Sequence, residues 1–87
     1  MLTKTITVQM AEGFHMRPAS QLAKTMKPFQ SNVTMVYGDK RINAKQLMKI
    51  VSACIKKGAE ITFECEGEDE ADAMAKVEEL EQINFGE

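Results

Sequence analysis

The sequence predicts an α+β fold, an open-faced sandwich of two layers made from one sheet and three helices. Apolar residues alternate with polar residues in four short segments, which is typical of strands with one buried face. In three longer segments they recur at intervals of three and four residues, which is typical of amphipathic helices. The order of these segments is βαββαβα. Since the sheet and the helices each have one apolar face to bury, we expect the helices to cover one face of the sheet.

The first half of the chain predicts a strand, a helix and a hairpin. Apolar and polar residues alternate from Thr3 to Met10, which predicts the first strand. The helix extends from Met16 to about Lys27 and is ended by Pro28. The segment NVTMVYGDKRIN then predicts two strands joined by a tight turn at Gly38-Asp39.

The second half predicts a helix, a strand and a final helix. The second helix extends from about Gln46 to Lys57, with Gly58 as its C-terminal cap. Its apolar stripe is Leu47, Ile50, Val51, Cys54 and Ile55. The last strand is Glu60 to Glu66. After the acid-rich segment GEDEADAM, the final helix has an apolar face of Met74, Val77, Leu80 and either Ile83 or Phe85.

Length and composition restrict the class of protein. A chain of 87 residues predicts one domain, 1–87. With 11 basic and 13 acidic residues, the net charge of −2 does not indicate a nucleic-acid-binding protein. The chain has no apolar run of membrane-spanning length and its first residues do not resemble a signal peptide, so we expect a cytoplasmic protein that does not insert into the membrane.

Cysteine usage predicts neither a disulfide framework nor a metal site. The two cysteines, Cys54 and Cys65, both lie at apolar positions of their segments. Free cysteine behaves as a small apolar side chain, so two buried thiols are expected. One histidine and two cysteines without ligand spacing predict no metal ion.

The segment EGFHMRPAS contains the sole histidine of the chain, His15, at the predicted start of the first helix. If His15 is the N-cap, the amides of Met16 and Arg17 point out of the helix start, where an anion is stabilised. The Arg17 guanidinium can bind phosphate oxygens, and neutral imidazole is a nucleophile near pH 7. This spacing is what a transient phosphohistidine requires. From spacing alone, His15 as a helix cap or surface residue without a chemical role remains an alternative.

The segment GFHMRPAS resembles the active-site signature of HPr, the histidine-containing phosphocarrier of the bacterial phosphoenolpyruvate-dependent sugar phosphotransferase system. The likeness covers essentially the whole chain. NAKQLMKIVSACIKKGAEITF is similar to the family's second helix and following strand, and GEDEADAM is similar to the start of its last helix. The resemblance implies an HPr-like domain with an antiparallel sheet in the order 1-4-2-3.

The resemblance also implies a function and a site. His15 would accept a phosphoryl group from phospho-enzyme I and pass it to the IIA components of sugar transporters, so that the chain is a carrier and no enzyme with a substrate of its own. Arg17 and the backbone of Met16 and Arg17 would stabilise the phosphate. No cofactor is implied, and a monomer is expected. The matching partner-binding positions are Met16, Ser20, Leu47, Met48 and Val51.

Three residues depart from the family pattern and indicate a divergent paralogue. Phe14 replaces an aliphatic residue, and Met16 replaces a small one, which leaves partner choice open. Gln46 stands where many members have a serine that is phosphorylated to control catabolite repression, so that control is absent at this position. The sequence names neither the sugar nor the pathway.

A regulatory binding module of the same fold, without phosphotransfer, is the alternative function. An ordinary hydrolase is disfavoured because His15 has no acid or base partner in the motif.

Overall fold

A computed structural model describes residues 1–86 of the chain. It has the predicted element order, followed by one short 3₁₀ turn. The elements are β1 Leu2–Thr7, α1 Met16–Met26, β2 Asn32–Tyr37, β3 Lys40–Asn43, α2 Leu47–Ser52, β4 Glu60–Glu66, α3 Glu70–Gln82 and the 3₁₀ turn Asn84–Gly86.

The four strands form one antiparallel sheet in the order β1-β4-β2-β3, as predicted. β4 lies in the interior of this sheet, with Cys65 opposite Leu2 on one side and opposite Val33 on the other. Tyr37 pairs with Lys40, which confirms the two-residue turn at Gly38-Asp39. The sheet therefore brings the first strand of the chain against the last one.

The three helices pack on one face of the sheet, and the other face is polar. Along β4, Ile61, Phe63 and Cys65 are buried beneath the helices. The intervening Thr62 accepts or donates a hydrogen bond with Thr5 across the open face at 2.8 Å. On that same face, Glu64 pairs with Arg41. This alternation confirms the open-faced sandwich.

The first strand is shorter than predicted, although its apolar residues are buried as expected. β1 ends at Thr7, while Val8 and Met10 remain in the core. After Thr7 the chain leaves β4 and pairs with the loop before it: the Val8 N–H donates to the Ala59 carbonyl at 2.9 Å, and the Gly58 N–H donates to the Val8 carbonyl at 2.8 Å. Loop pairing thus takes over from strand pairing.

The prediction for the second helix was wrong at its C-terminal end. α2 ends at Ser52, and Gly58 does not cap it. The helix is broken at Cys54, which has φ +55°, and the Cys54 side chain is exposed.

The prediction of two buried thiols is therefore right for Cys65 and wrong for Cys54. Burial raises the pKa of the Cys65 thiol, with smaller contributions from nearby carboxylates, so this thiol stays protonated.

The end of the described chain resolves the choice between Ile83 and Phe85. From its start to its end, α3 buries Ala73, Met74, Val77 and Leu80. Phe85 is buried, whereas Ile83 is 56% exposed. No helix within residues 1–86 is both long and apolar enough to cross a membrane.

Asp69 connects α3 to the loop before β2. Its carboxylate accepts hydrogen bonds from the Gln30 N–H at 2.9 Å and the Ser31 N–H at 2.8 Å. The Ser31 hydroxyl, which is buried, donates to the same carboxylate. These donors, led by the hydroxyl, hold the pKa of Asp69 below its usual range because they stabilise the charged form.

We expect Asp69→Asn to lower the stability of the protein at neutral pH. An amide cannot accept all three hydrogen bonds, and a lowered folded-state pKa means that the carboxylate stabilises the fold at neutral pH. This contribution is present above the unfolded-state pKa of about 4 and is lost as the pH falls through the folded-state pKa. The difference in free energy of unfolding between wild type and variant, measured in urea, should therefore shrink as the pH is lowered from 7 through the folded-state pKa of Asp69. Asp72→Asn, in the same helical turn, is the control; an equal effect there would contradict the prediction.

Candidate functional site

His15 lies at the start of α1, as predicted. It is the N-cap residue, with an extended backbone (φ −75°, ψ −171°), and α1 begins at Met16. The His15 carbonyl accepts the first helical hydrogen bond, from the Ala19 N–H at 3.0 Å. The side chain is half-buried, and Arg17 at the second helical position is exposed. The structure thus places His15 directly before, and Arg17 within, the first turn of an 11-residue helix, at the positive end of its dipole.

The loop before His15 is fixed by the backbone of Ile55. The Phe14 N–H donates to the Ile55 carbonyl at 3.0 Å. Gly13 has φ +68°, and a Cβ atom there would overlap the Ile55 carbonyl oxygen. Gly13 is therefore required for close packing as well as for the turn that the sequence indicated. Neither contact has a signal in the sequence, because the two segments are about forty residues apart.

An open pocket of about 310 Å³ lies beside His15. It is lined by Glu12, Phe14, His15, Val51, Cys54, Ile55 and Lys56. Of the predicted site residues, only His15 and Val51 line it. Glu12, Cys54 and Lys56 line the pocket although their sequence pattern does not indicate it. Cys54 and Lys56 lie there because α2 ends at Ser52, five residues before its predicted end at Lys57.

The predicted partner-binding residues lie on the adjacent helices α1 and α2, which pack against each other. We call Met16, Ser20, Leu47, Met48 and Val51 the methionine face. Met16 is 51% exposed and Met48 is 60% exposed, whereas Leu47 and Val51 lie partly buried against the core. The exposure of Met48 agrees with its position off the apolar stripe of α2. Exposed apolar side chains that lie next to further apolar side chains on adjacent helices are a feature of binding surfaces.

Basic side chains that the sequence analysis did not select border the methionine face. A second pocket, of about 220 Å³, is lined by Ser20, Ala23, Lys24, Lys27, Lys45 and Leu47. The Lys45 ammonium group is held at one side by a hydrogen bond to the Phe29 carbonyl at 2.5 Å. The margin of the face is therefore positively charged and suited to anionic groups.

Phe14 is not part of the exposed surface. Its side chain is 2% exposed and meets the Phe85 ring edge-on, with 4.8 Å between ring centroids. The departure from an aliphatic residue at this position is therefore an internal packing change. Within residues 1–86 no group of three or more histidine, cysteine, aspartate or glutamate side chains is placed to hold a metal ion.

Comparison with known protein families identifies the relatives of this chain. The family model for the HPr component of the phosphotransferase system, described by its phosphorylation site, matches residues 2–82. The chain belongs to the HPr family. Its members are phosphocarriers of the phosphotransferase system, so the coarse function follows from the family.

Individual relatives agree with the family model. The chain is 38% identical over 74 residues to the phosphocarrier protein HPr of Buchnera aphidicola, a match that covers 85% of this chain and 87% of that one. The crystal structure of HPr-C-His from Thermoanaerobacter tengcongensis superposes with a TM-score of 0.93 at 32% identity, covering 100% of this chain and 98% of the other. The resemblance and the fold class inferred from sequence are both confirmed.

A further structural relative belongs to a different functional context. Crh, the catabolite repression containing protein of Bacillus subtilis, superposes with a TM-score of 0.70 at 28% identity. The match covers 99% of this chain and 94% of Crh, whose crystal structure is a dimer with a swapped domain. The HPr fold therefore occurs both in carriers and in a protein named for repression.

Proposed function

We propose that this protein accepts a phosphoryl group from phospho-enzyme I on His15 and donates it to the IIA components of sugar transporters. The observation that carries the proposal is the position of His15 at the N-cap of α1, beside an open pocket, in a member of the HPr family. The chain acts as a carrier without cofactor, and residues 1–87 act as one domain that shuttles as a monomer.

The transfer is an exchange of one phosphorus–nitrogen bond for another. Family resemblance assigns the attack to Nδ1 of neutral His15. A bond forms between this nitrogen and phosphorus as the bond to the donor nitrogen of enzyme I breaks, and the phosphoryl group moves without release to water. When the protein donates to a IIA component, this same bond between Nδ1 and phosphorus breaks as phosphorus bonds to the accepting histidine of the partner.

The groups around His15 stabilise the charge on the transferred phosphoryl oxygens. The amides of Met16 and Arg17 lie at the start of an α-helix, where dipole and N–H groups favour an anion. The Arg17 guanidinium, in the first turn of the same helix, adds a positive charge that attracts the phosphoryl oxygens. The bulk of Met16 leaves this backbone role intact because the side chain is directed to the surface, where it is 51% exposed.

The methionine face is the proposed docking surface for enzyme I and the IIA components. It lies on α1 and α2 next to His15, so a partner seated on it brings its own phosphorylated or accepting histidine close to the imidazole. Methionine side chains are flexible and polarisable, which allows one surface to fit more than one partner.

The proposal is tested by the intact mass of the protein after incubation with phosphoenolpyruvate and enzyme I. One added phosphoryl group of about 80 Da, lost in mild acid, identifies a phosphoramidate on the sole histidine. No mass gain with the enzyme I of the same organism, shown to be active, overturns the proposal. Size-exclusion chromatography of the same sample tests the monomer.

A second candidate function is a regulatory binding module, favoured by the structural likeness to Crh. In that case the methionine face binds a partner without transfer from His15. A protein that accepts no phosphoryl group yet binds a partner through Met48 would select this function.

We expect Met48→Glu to weaken partner docking while the fold stays intact. The side chain is 60% exposed, so the substitution leaves the core unchanged and places a charge on the apolar face. The loss of one central apolar contact predicts about a tenfold rise in the KM of phosphoryl transfer, equivalent to about 1.4 kcal/mol. Ile83→Glu, which is 56% exposed on another part of the surface, is the matched control. Equal KM values for the two variants would contradict the assignment of the face.

A further inference from the structure

The segment after α3 adopts an unusual backbone in order to bury one aromatic ring. Asn84 and Phe85 have φ values of +53° and +54°, and Gly86 follows with +84°. Residues other than glycine rarely adopt this left-handed region, so their presence in succession requires a compensating interaction. Phe85 is 2% exposed. Burial of its ring is the compensating interaction that the structure shows.

The Phe85 ring connects the sheet to the loop that carries His15. On one side it stacks with Phe63 of β4, with 6.3 Å between centroids and 18° between planes. On the other side the Phe14 ring meets it edge-on at 4.8 Å and 66°. Phe63 lies in β4, which is hydrogen-bonded to a strand on each side. Phe85 therefore packs Phe14 against an interior part of the sheet.

Phe14 is the residue directly before His15, and it is held both through its backbone and through its ring. Its N–H donates to the Ile55 carbonyl, which fixes the backbone, while its side chain rests on Phe85. The hydrogen bond restrains the backbone of Phe14, and the ring contact with Phe85 restrains its side chain. A rotation at Phe14 would displace the imidazole relative to the amides of Met16 and Arg17.

We infer that Phe85 is a positioning residue for His15: it holds Phe14 and, through it, the N-cap residue His15 at the start of α1. The inference rests on the proposed function for its effect on transfer, whereas its structural part concerns the unphosphorylated protein. The site of the family is thereby extended, in this chain, to a residue about seventy positions from the histidine.

The test compares Phe85→Leu with two controls. Leucine keeps an apolar side chain in the core but removes both ring contacts. Val77→Ala truncates a buried residue of α3 that packs on β1 and β4, so it reports the effect of lost stability alone. Ile83→Ala changes an exposed residue next to the same segment. Phosphoryl transfer from phospho-enzyme I and the NMR shifts of the His15 ring and the Met16 and Arg17 amides are measured where all variants are folded.

Phe85→Leu is expected to lower kcat about tenfold, less than the hundredfold cost of a 1 Å misplacement, with KM within about twofold of wild type. The shifts at His15, Met16 and Arg17 should change in Phe85→Leu and stay at wild-type values in both controls. A kcat equal to that of Val77→Ala, or unchanged shifts, would reduce Phe85 to an ordinary core residue and overturn the inference. If wild type accepts no phosphoryl group, the proposed function fails, and the shifts still decide the role of Phe85.

Discussion

His15→Ala is expected to abolish phosphoryl acceptance from phospho-enzyme I while the protein stays folded. The substitution removes the sole histidine and with it the only imidazole nucleophile of the chain. His15 is half-buried at the start of α1 and lies outside the hydrophobic core, so we expect a change in stability of about 1 kcal/mol. Intact mass after incubation with phosphoenolpyruvate and enzyme I measures acceptance, and thermal unfolding measures the fold.

His15→Gln separates nucleophilicity from hydrogen bonding in the same assay. Glutamine keeps a polar side chain at the N-cap but has no nucleophilic ring nitrogen, so it should be as inactive as alanine. Acid-labile phosphoryl acceptance in either variant would place the phosphate on another residue and refute the assignment of His15.

Gly13→Ala is expected to be the most destabilising single substitution in the loop that carries His15. A Cβ at this position overlaps the Ile55 carbonyl oxygen and lies 2.9 Å from the Lys56 Cα, and both are backbone atoms that cannot rotate away. The φ of +68° adds the cost of a left-handed alanine, about 1–2 kcal/mol. We expect a total loss of about 3–5 kcal/mol, a large part of the stability of a small domain.

Gly38→Ala is the matched control for this substitution. Gly38 has nearly the same φ, +62°, but a Cβ there has no atom within 4 Å. It therefore measures backbone strain alone, and urea unfolding of both variants isolates the contribution of the Ile55 contact. Similar losses in the two variants would show that the loop can move away from Ile55.

The local pattern of the sequence determined the element order, the inward faces and the start of α1. Alternation placed Ile61, Phe63 and Cys65 on the buried face, and the change of period after Gly13 placed His15 before the first helical turn. These features depend on neighbouring residues, since strand and helix periodicity and helix starts are local properties. The resemblance to the HPr family added the strand order, which local patterns do not determine.

Only the tertiary structure decided where α2 ends, which cysteine is exposed and which residue follows α3 into the core. The apolar stripe of α2 continued to Ile55, yet the Ile55 carbonyl binds the Phe14 N–H and the helix is broken at Cys54. Phe85 is buried and Ile83 is exposed, because the Phe85 ring fits between Phe14 and Phe63. Such contacts join residues that are distant in sequence, and their free energy outweighs local helix propensity. Because they do not repeat along the chain, they produce no periodic pattern in the sequence.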